Sequence, residues 1–201
     1  MLPIMRNPQK LMKKVDLFST PIFVDQLDLD TSIIESRVRE HQLNHPSLSN
    51  KENGSSNLNG YQQNIDCPGV FDKILFEKIT NSISSLVDLQ DKHLRYQAWV
   101  NINPQGSFNI RHSHTNNHFL LCGIYYVKCD EKSGRLRFWD PRGHYPSMMN
   151  GLWSGSQVHI HHPKTNQVVL FPSWIEHDVS PNMSSEDRIA IAFNVSSLLP
   201  K

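Results

Sequence analysis

Residues 188–195, RIAIAFNV, alternate between two kinds of side chain. The large apolar positions are Ile189, Ile191, Phe193 and Val195, and the positions between them are Arg188, Ala190, Ala192 and Asn194. Successive side chains of an extended strand point to opposite faces. The stretch therefore predicts a β-strand with one face packed into a core and a second face of small side chains beside one arginine.

Short runs with the same period of two fill the chain after Leu94. They are YQAWVNIN (96–103), FLLCGIYYV (119–127), RLRFW (135–139), QVHIHH (157–162) and QVVLFP (167–172), with turn sequences such as EKSG and PKTN between them. Strands that follow helices in this way predict a mainly β, α+β fold. We expect a double-stranded β-helix, the cupin-like jelly-roll barrel, braced by N-terminal helices.

The first half of the chain predicts the bracing elements. Residues 16–28 indicate an extended segment and residues 31–43 a short helix, while the apolar spacing over residues 70–89 is typical of an amphipathic helix. Residues 45–66 are rich in Asn, Ser and Gly, which favours a mobile loop and a candidate lid. We predict a single domain over 1–201, with these elements in 1–92 and the barrel in 93–201.

Composition excludes several classes of function. The formal net charge is +1, from 20 basic and 19 acidic residues, so no charge excess points to nucleic acid or a membrane surface. The N-terminal sequence does not have the order of a secretory signal, and no stretch has the length of a membrane span. The three cysteines, Cys67, Cys122 and Cys129, form no CxxC pair. We expect reduced thiols and a cytoplasmic location.

Histidines near two strand ends suggest a metal site. His112 and His114 are separated by one residue, so both leave the same face of an extended chain. His177, in LFPSWIEHDVSP, follows an apolar strand that antiparallel pairing can return to the same place. Three ligands on one side of an ion leave the other side open to substrate. The other reading is that histidines at strand ends are exposed or hydrogen-bonded polar residues.

The remaining histidines of this region fit that second reading. They are His118, His144, His159, His161 and His162. His159 and His161 also share a strand face and form an alternative ligand pair, although a polar turn follows them directly.

Arg188 is a candidate anion anchor. A guanidinium on an alanine-lined face inside a barrel needs an acidic partner, and its planar fork suits a carboxylate. A bound organic acid would satisfy it, and so would an internal salt bridge or access to water.

These residues resemble the iron(II)- and 2-oxoglutarate-dependent dioxygenases, in particular the prolyl-hydroxylase-like branch and its phage and bacterial relatives. The likeness covers about residues 97–196, and its landmarks are WVNIN, HSH, GIYYV, SGRLRFWDPRG, LFPSWIEHDVSP and RIAIAFN. It implies Fe(II), 2-oxoglutarate as cosubstrate, O2, and hydroxylation of a peptide or small-molecule substrate. A phage relative would act in the host cytoplasm.

The resemblance also implies roles for single residues. His112 would be the first iron ligand and His177 the last, and Arg188 and Tyr126 would bind the distal carboxylate of 2-oxoglutarate. Asn101 or Asn103 would line the pocket.

Two positions depart from the family pattern. Where the family has an acidic ligand two residues after the first histidine, this chain has His114, which we predict as the third ligand and a catalytic residue. A shifted register, with His114 first and Asn116 in the acid position, also supplies no carboxylate. Ala190 stands where many relatives carry a serine.

The substrate is not identified by the sequence, although a prolyl or other peptide or amino-acid residue is one candidate. Substrate contacts are expected from residues 45–66 and 140–155, the latter with Tyr145, Met148, Met149 and Trp153. The alternative functions are a jelly-roll protein that binds zinc or iron without 2-oxoglutarate, and a sugar- or peptide-binding module.

Overall fold

The computed structural model describes residues 18–46, 56–65, 73–86, 93–115, 119–142 and 157–198. The two helices are α1 (Thr31–Asn44) and α2 (Lys73–Leu86). The strands are β1 (Phe23–Gln26), β2 (Asn57–Leu58), β3 (Tyr61–Ile65), β4 (His93–Asn103), β5 (Phe108–His112), β6 (Leu121–Lys128), β7 (Leu136–Trp139), β8 (Val158–His161), β9 (Gln167–Pro172), β10 (His177–Val179) and β11 (Arg188–Leu198). No helix in these ranges is long and apolar enough to span a bilayer.

The strands form two antiparallel sheets. The larger has six strands in the order β1-β9-β6-β11-β4-β3, and the smaller has five in the order β2-β5-β10-β7-β8. Strands that alternate between two sheets in this way make the jelly-roll barrel, so the predicted fold class is confirmed. The space between the sheets holds the candidate site.

β11 lies inside the larger sheet, paired with β4 and β6. The apolar face predicted from its alternation packs in the core with the buried side of α2, whose members are Leu75, Phe76, Ile79 and Ile83. The rings of Phe193 and Phe76 meet edge to face, with centroids 6.1 Å apart. The opposite face of β11 is therefore free to line the barrel interior.

Both predicted helices form, and the residues of the predicted range 70–89 outside α2 lie outside the described ranges. α1 is capped by Asp30, whose side chain accepts a hydrogen bond from the Ser32 amide at 3.0 Å, and it buries Ile34 and Val38. In α2, the apolar spacing places Ile74 and Leu86 on the apolar face, but they are 60% and 39% exposed. Only part of an apolar helical stripe contacts the sheet, so residues at its margin stay in solvent.

The predicted polar loop at 45–66 is partly regular structure. Residues 56–65 form β2 and β3, which join the smaller and larger sheets respectively. Buried Asn57 organises the turn between these strands, donating from Nδ2 to the Tyr61 carbonyl at 3.1 Å. A Cβ at Gly60 would lie 2.5 Å from Oδ1 of Asn57, so a larger residue would displace it. The prediction was wrong for residues 56–65, because amide side chains replace aliphatic packing there, and residues 47–55 and 66 lie outside the described ranges.

Candidate metal centre

His112 and His177 are brought together by strand pairing. His112 is the last residue of β5 and His177 the first of β10, and the two are register partners in the smaller sheet. Paired residues point to the same face of a sheet. Their ring centroids are 4.4 Å apart.

His114 joins this pair from two residues beyond the end of β5. Its backbone amide donates to the Ser173 carbonyl at 3.0 Å, which ties this segment to the chain just before β10. Its ring lies 5.1 Å from the His112 ring and 5.5 Å from the His177 ring, and it stacks on Trp99 at 6.0 Å. One potential ligand atom from each histidine lies within 4.8 Å of the others. Such spacing allows all three to bind one ion.

Hydrogen bonds fix the orientation of two of the three rings. Nδ1 of His112 donates to the Ile110 carbonyl at 2.7 Å, and Nδ1 of His177 donates to the Ile175 carbonyl at 3.0 Å. A carbonyl can only accept, so each Nδ1 carries the proton and each Nε2 keeps a free lone pair. This outer contact is typical of metal-binding histidines.

Burial keeps the three imidazoles neutral. Desolvation, followed by the charges of neighbouring histidines, lowers the pKa of His177 to about 3 and that of His114 to about 4. Desolvation also lowers the pKa of His112. Neutral imidazole is the metal-binding form, so the cluster is ready for an ion near pH 7.

The alternative ligand pair does not form a comparable cluster. In the described part of the chain, the three histidines above are the one group of three or more candidate ligands close enough to share an ion. His159 is exposed, and His161 Nε2 is 2.9 Å from Oε1 of Gln167. His162 is exposed as well, and His118 and His144 lie outside the described ranges.

The acidic neighbours of His177 point away from the cluster. Glu176 accepts hydrogen bonds from the Arg111 guanidinium. Asp178 is buried and accepts from Arg137 Nε and from Trp139 Nε1, the latter at 2.7 Å. Neither carboxylate replaces the missing acidic ligand.

The histidines border an open cavity between the sheets, and Arg188 and Tyr126 line the same cavity from the larger sheet. Arg188 is 2% exposed. Its Nη1 donates to the carbonyls of Ser133 and Ser180, but Nη2 has no hydrogen-bond partner among the described residues. The Tyr126 hydroxyl is also buried and unpartnered within those ranges. Burial raises the pKa of Tyr126 far above its usual value, so the phenol stays protonated.

Small residues make room for this arrangement. Ala190 is the register partner of both Tyr126 and Asn101 and lines the cavity two residues along β11 from Arg188. Gly134 has φ of +88°, and a Cβ there would lie 2.6 Å from Nη1 of Arg188. Gly134 thus permits both its own turn and the position of the guanidinium.

Asn101 and Asn103 line the cavity as predicted, but their amides also bind Asn57. Asn57 Nδ2 donates to Oδ1 of Asn101 at 3.1 Å, and Asn103 Nδ2 donates to Oδ1 of Asn57 at 2.8 Å. Sequence reasoning missed Asn57, since one asparagine in a polar segment gives no signal. It also missed Trp99, although its alternation with Asn101 and Asn103 places it on the cavity face.

The predicted substrate segment 140–155 is described only to residue 142. Pro141 and Arg142 line a second, open groove together with Trp139 and Trp174. Tyr145, Met148, Met149 and Trp153 lie outside the described ranges.

Comparison with known proteins identifies the family. Residues 97–194, about half of the chain, match the family described as "Putative 2OG-Fe(II) oxygenase". Over this region the chain belongs to the 2OG-Fe(II) oxygenase family. Members of this enzyme family use Fe(II) and 2-oxoglutarate. No curated protein matches the sequence significantly.

Solved structures of the same fold agree with this 2OG-Fe(II) oxygenase assignment. A prolyl-4-hydroxylase from Pseudomonas putida is 16% identical with a TM-score of 0.60, over 88% of this chain and 92% of the other. A prolyl hydroxylase from Trichoplax adhaerens, in complex with a hypoxia inducible factor peptide fragment, is 14% identical with a TM-score of 0.58, over 87% and 82%. HygX from Streptomyces hygroscopicus, with nickel and 2-oxoglutarate bound, is 12% identical with a TM-score of 0.57, over 88% and 83%. At these identities the likeness concerns the fold.

Proposed function

We propose that this 2OG-Fe(II) oxygenase binds Fe(II) and 2-oxoglutarate in the cavity between its sheets and hydroxylates a peptide or small-molecule substrate. The observation that carries the proposal is one cavity lined both by three clustered imidazoles and by a buried guanidinium and phenol with unused hydrogen-bonding atoms.

The donor set fits a ferrous ion. His112, His114 and His177 offer three neutral nitrogens from one side, and imidazole is a common ligand of Fe(II). The carbonyls of Ile110 and Ile175 would hold two of these rings in place as the ion binds.

The unpaired polar atoms fit the distal carboxylate of 2-oxoglutarate. Nη2 of Arg188 and the hydroxyl of Tyr126 are both donors, and a carboxylate is an acceptor only. A buried donor without a partner is costly, so a bound carboxylate would relieve two such costs together. The side chain of Ala190 leaves space for the carbon chain of the cosubstrate.

Iron and 2-oxoglutarate would supply the oxidising chemistry, in which O2 is activated while 2-oxoglutarate is converted to succinate and carbon dioxide. The protein's own residues would orient the cosubstrate and enclose the cavity. Arg188 and Tyr126 would fix one end of the cosubstrate, and the apolar side chains of Phe171 and Ile124 would limit water in the cavity.

The alternative is a metal site that does not use 2-oxoglutarate. The absence of a carboxylate from the described histidine cluster favours this reading, since three histidines with an open position also suit catalytic zinc. It leaves the unpaired donors of Arg188 and Tyr126 without a role.

Anaerobic spectroscopy separates the two functions. Iron-loaded protein is expected to develop a visible metal-to-ligand band when 2-oxoglutarate is added. Arg188→Ala should weaken this binding strongly, whereas Arg135→Ala, which removes an exposed arginine, should leave it unchanged. A preference for zinc with no such band in the wild-type protein would support the alternative.

A further inference from the structure

The cavity retains a positive charge even after both expected ligands are included. A divalent ion contributes two positive charges and Arg188 one, whereas 2-oxoglutarate contributes two negative charges and the neutral imidazoles none. No aspartate or glutamate is present among the described residues that line the cavity. One positive charge therefore remains, because His114 stands where the family has a carboxylate ligand.

The other ionisable groups of the wall do not compensate this charge. Burial raises the pKa of the Cys122 thiol to about 12 and moves the pKa of the Tyr126 phenol further up, so both stay neutral at pH 7. The buried carboxylate of Asp178 acts electrostatically on His112, but it is paired with Arg137.

We infer that the cavity takes one monoanion in addition to 2-oxoglutarate, and that an acidic group of the substrate, such as a carboxylate, supplies it. The inference rests on the proposed function, since the charges of iron and 2-oxoglutarate enter the balance. An uncompensated charge is costly in a partly buried space. A substrate that carries one negative charge would remove this cost and bind more tightly than its neutral analogue.

His114 and nearby amides can donate hydrogen bonds to such an anion. A metal-bound imidazole has one remaining N–H, which His112 and His177 direct to the carbonyls of Ile110 and Ile175. The His114 ring makes no hydrogen bond within the described ranges and is positioned by stacking on Trp99. Asn109 and Asn194 also line the cavity, and each amide nitrogen, which already donates once to Ser56 or Gln97, has a second hydrogen.

Small probes test the inference in the full chain. Acetate, acetamide and chloride are titrated separately into anaerobic protein that holds Fe(II) and saturating 2-oxoglutarate, and the visible band is followed. We expect acetate to bind at least about tenfold more tightly than acetamide, its neutral isostere, because attraction between unit charges a few ångströms apart exceeds a tenfold effect at intermediate dielectric. Acetate should also bind more tightly than chloride.

Two variants test the origin of the charge. His114→Asp places a carboxylate in the cluster and should weaken acetate binding at least about tenfold. His162→Asp makes the same change at an exposed position outside the cavity and should have no effect. If His114→Asp does not bind iron, the inference is tested by the comparison of acetate with acetamide in the wild-type protein alone.

The results that overturn the inference are distinct from failure of the proposed function. Equal binding of acetate and acetamide, or unchanged acetate binding in iron-loaded His114→Asp, would contradict the predicted anion site. If chloride binds more tightly than acetate, the assignment of the bound anion to an acidic group of the substrate is contradicted. Absence of any 2-oxoglutarate band before the probes are added would instead reject the proposed function.

Discussion

Replacing Tyr126 with Phe is expected to stabilise the ligand-free protein and to weaken 2-oxoglutarate binding. The Tyr126 hydroxyl is buried and finds no partner among the described residues, so its removal abolishes an unsatisfied polar group. Such a group costs about 1–3 kcal/mol in a folded protein. The free energy of unfolding should therefore rise by up to that amount, although most substitutions in a core lower it.

The same hydroxyl should stabilise the complex. A hydrogen bond to a charged group contributes about 1.5–3 kcal/mol. At about 1.4 kcal/mol for each factor of ten, the dissociation constant of 2-oxoglutarate should rise about 10- to 150-fold. Opposite signs for stability and binding are what distinguish a ligand-binding hydroxyl from a structural one.

Tyr125 provides the matched control, since it is adjacent and fully buried but has a partner. Its hydroxyl donates to Oδ1 of Asn166 at 2.7 Å. Tyr125→Phe should lower the free energy of unfolding by about 0.5–1.5 kcal/mol and leave 2-oxoglutarate binding unchanged. Urea denaturation of the metal-free proteins and anaerobic calorimetric titration measure the two quantities. Loss of stability in Tyr126→Phe together with unchanged affinity would refute the reasoning.

Three further predictions concern the turn near Arg188 and the histidine cluster. Gly134→Ala should lower the free energy of unfolding, measured by urea denaturation, more than Gly106→Ala does. Both glycines have positive φ, which costs alanine about 1–2 kcal/mol. Only at position 134 would the added Cβ also contact Arg188 and the Ser180 carbonyl. His114→Ala should weaken iron binding measured by anaerobic titration, and unchanged affinity and stoichiometry would show that His114 is not a ligand. The unfolding temperature of the metal-free protein should fall as the pH is lowered from 6.5 towards 3. His177 binds a proton in this range when the protein is unfolded, but not when it is folded, because its folded pKa is about 3. His177→Phe should make the unfolding temperature depend less on pH.

Local pattern was sufficient for β4, for β6 to β9, for β11 and for the helix that packs on the larger sheet. The alternation in residues 188–195 predicted which side chains of β11 face the core and which face the cavity, because a strand has only two faces. By contrast, β10 has three residues, too few for a recognisable period, and β2 and β3 lie in a segment whose composition favoured a loop. Buried hydrogen bonds of Asn57 order that segment, and composition does not reveal them.

The spacing of His112 and His114 and the position of Arg188 on a small-residue face were visible in the sequence, since each depends on residues close together in the chain. The meeting of His112 with His177 depends on the register of two strands that are remote in sequence, and only the tertiary structure decided it. The same holds for the unused donors of Arg188 and Tyr126, because a missing partner can be recognised only when the surrounding chain is in place. Sequence thus determined which groups each element carries, and long-range pairing determined which of them share one cavity.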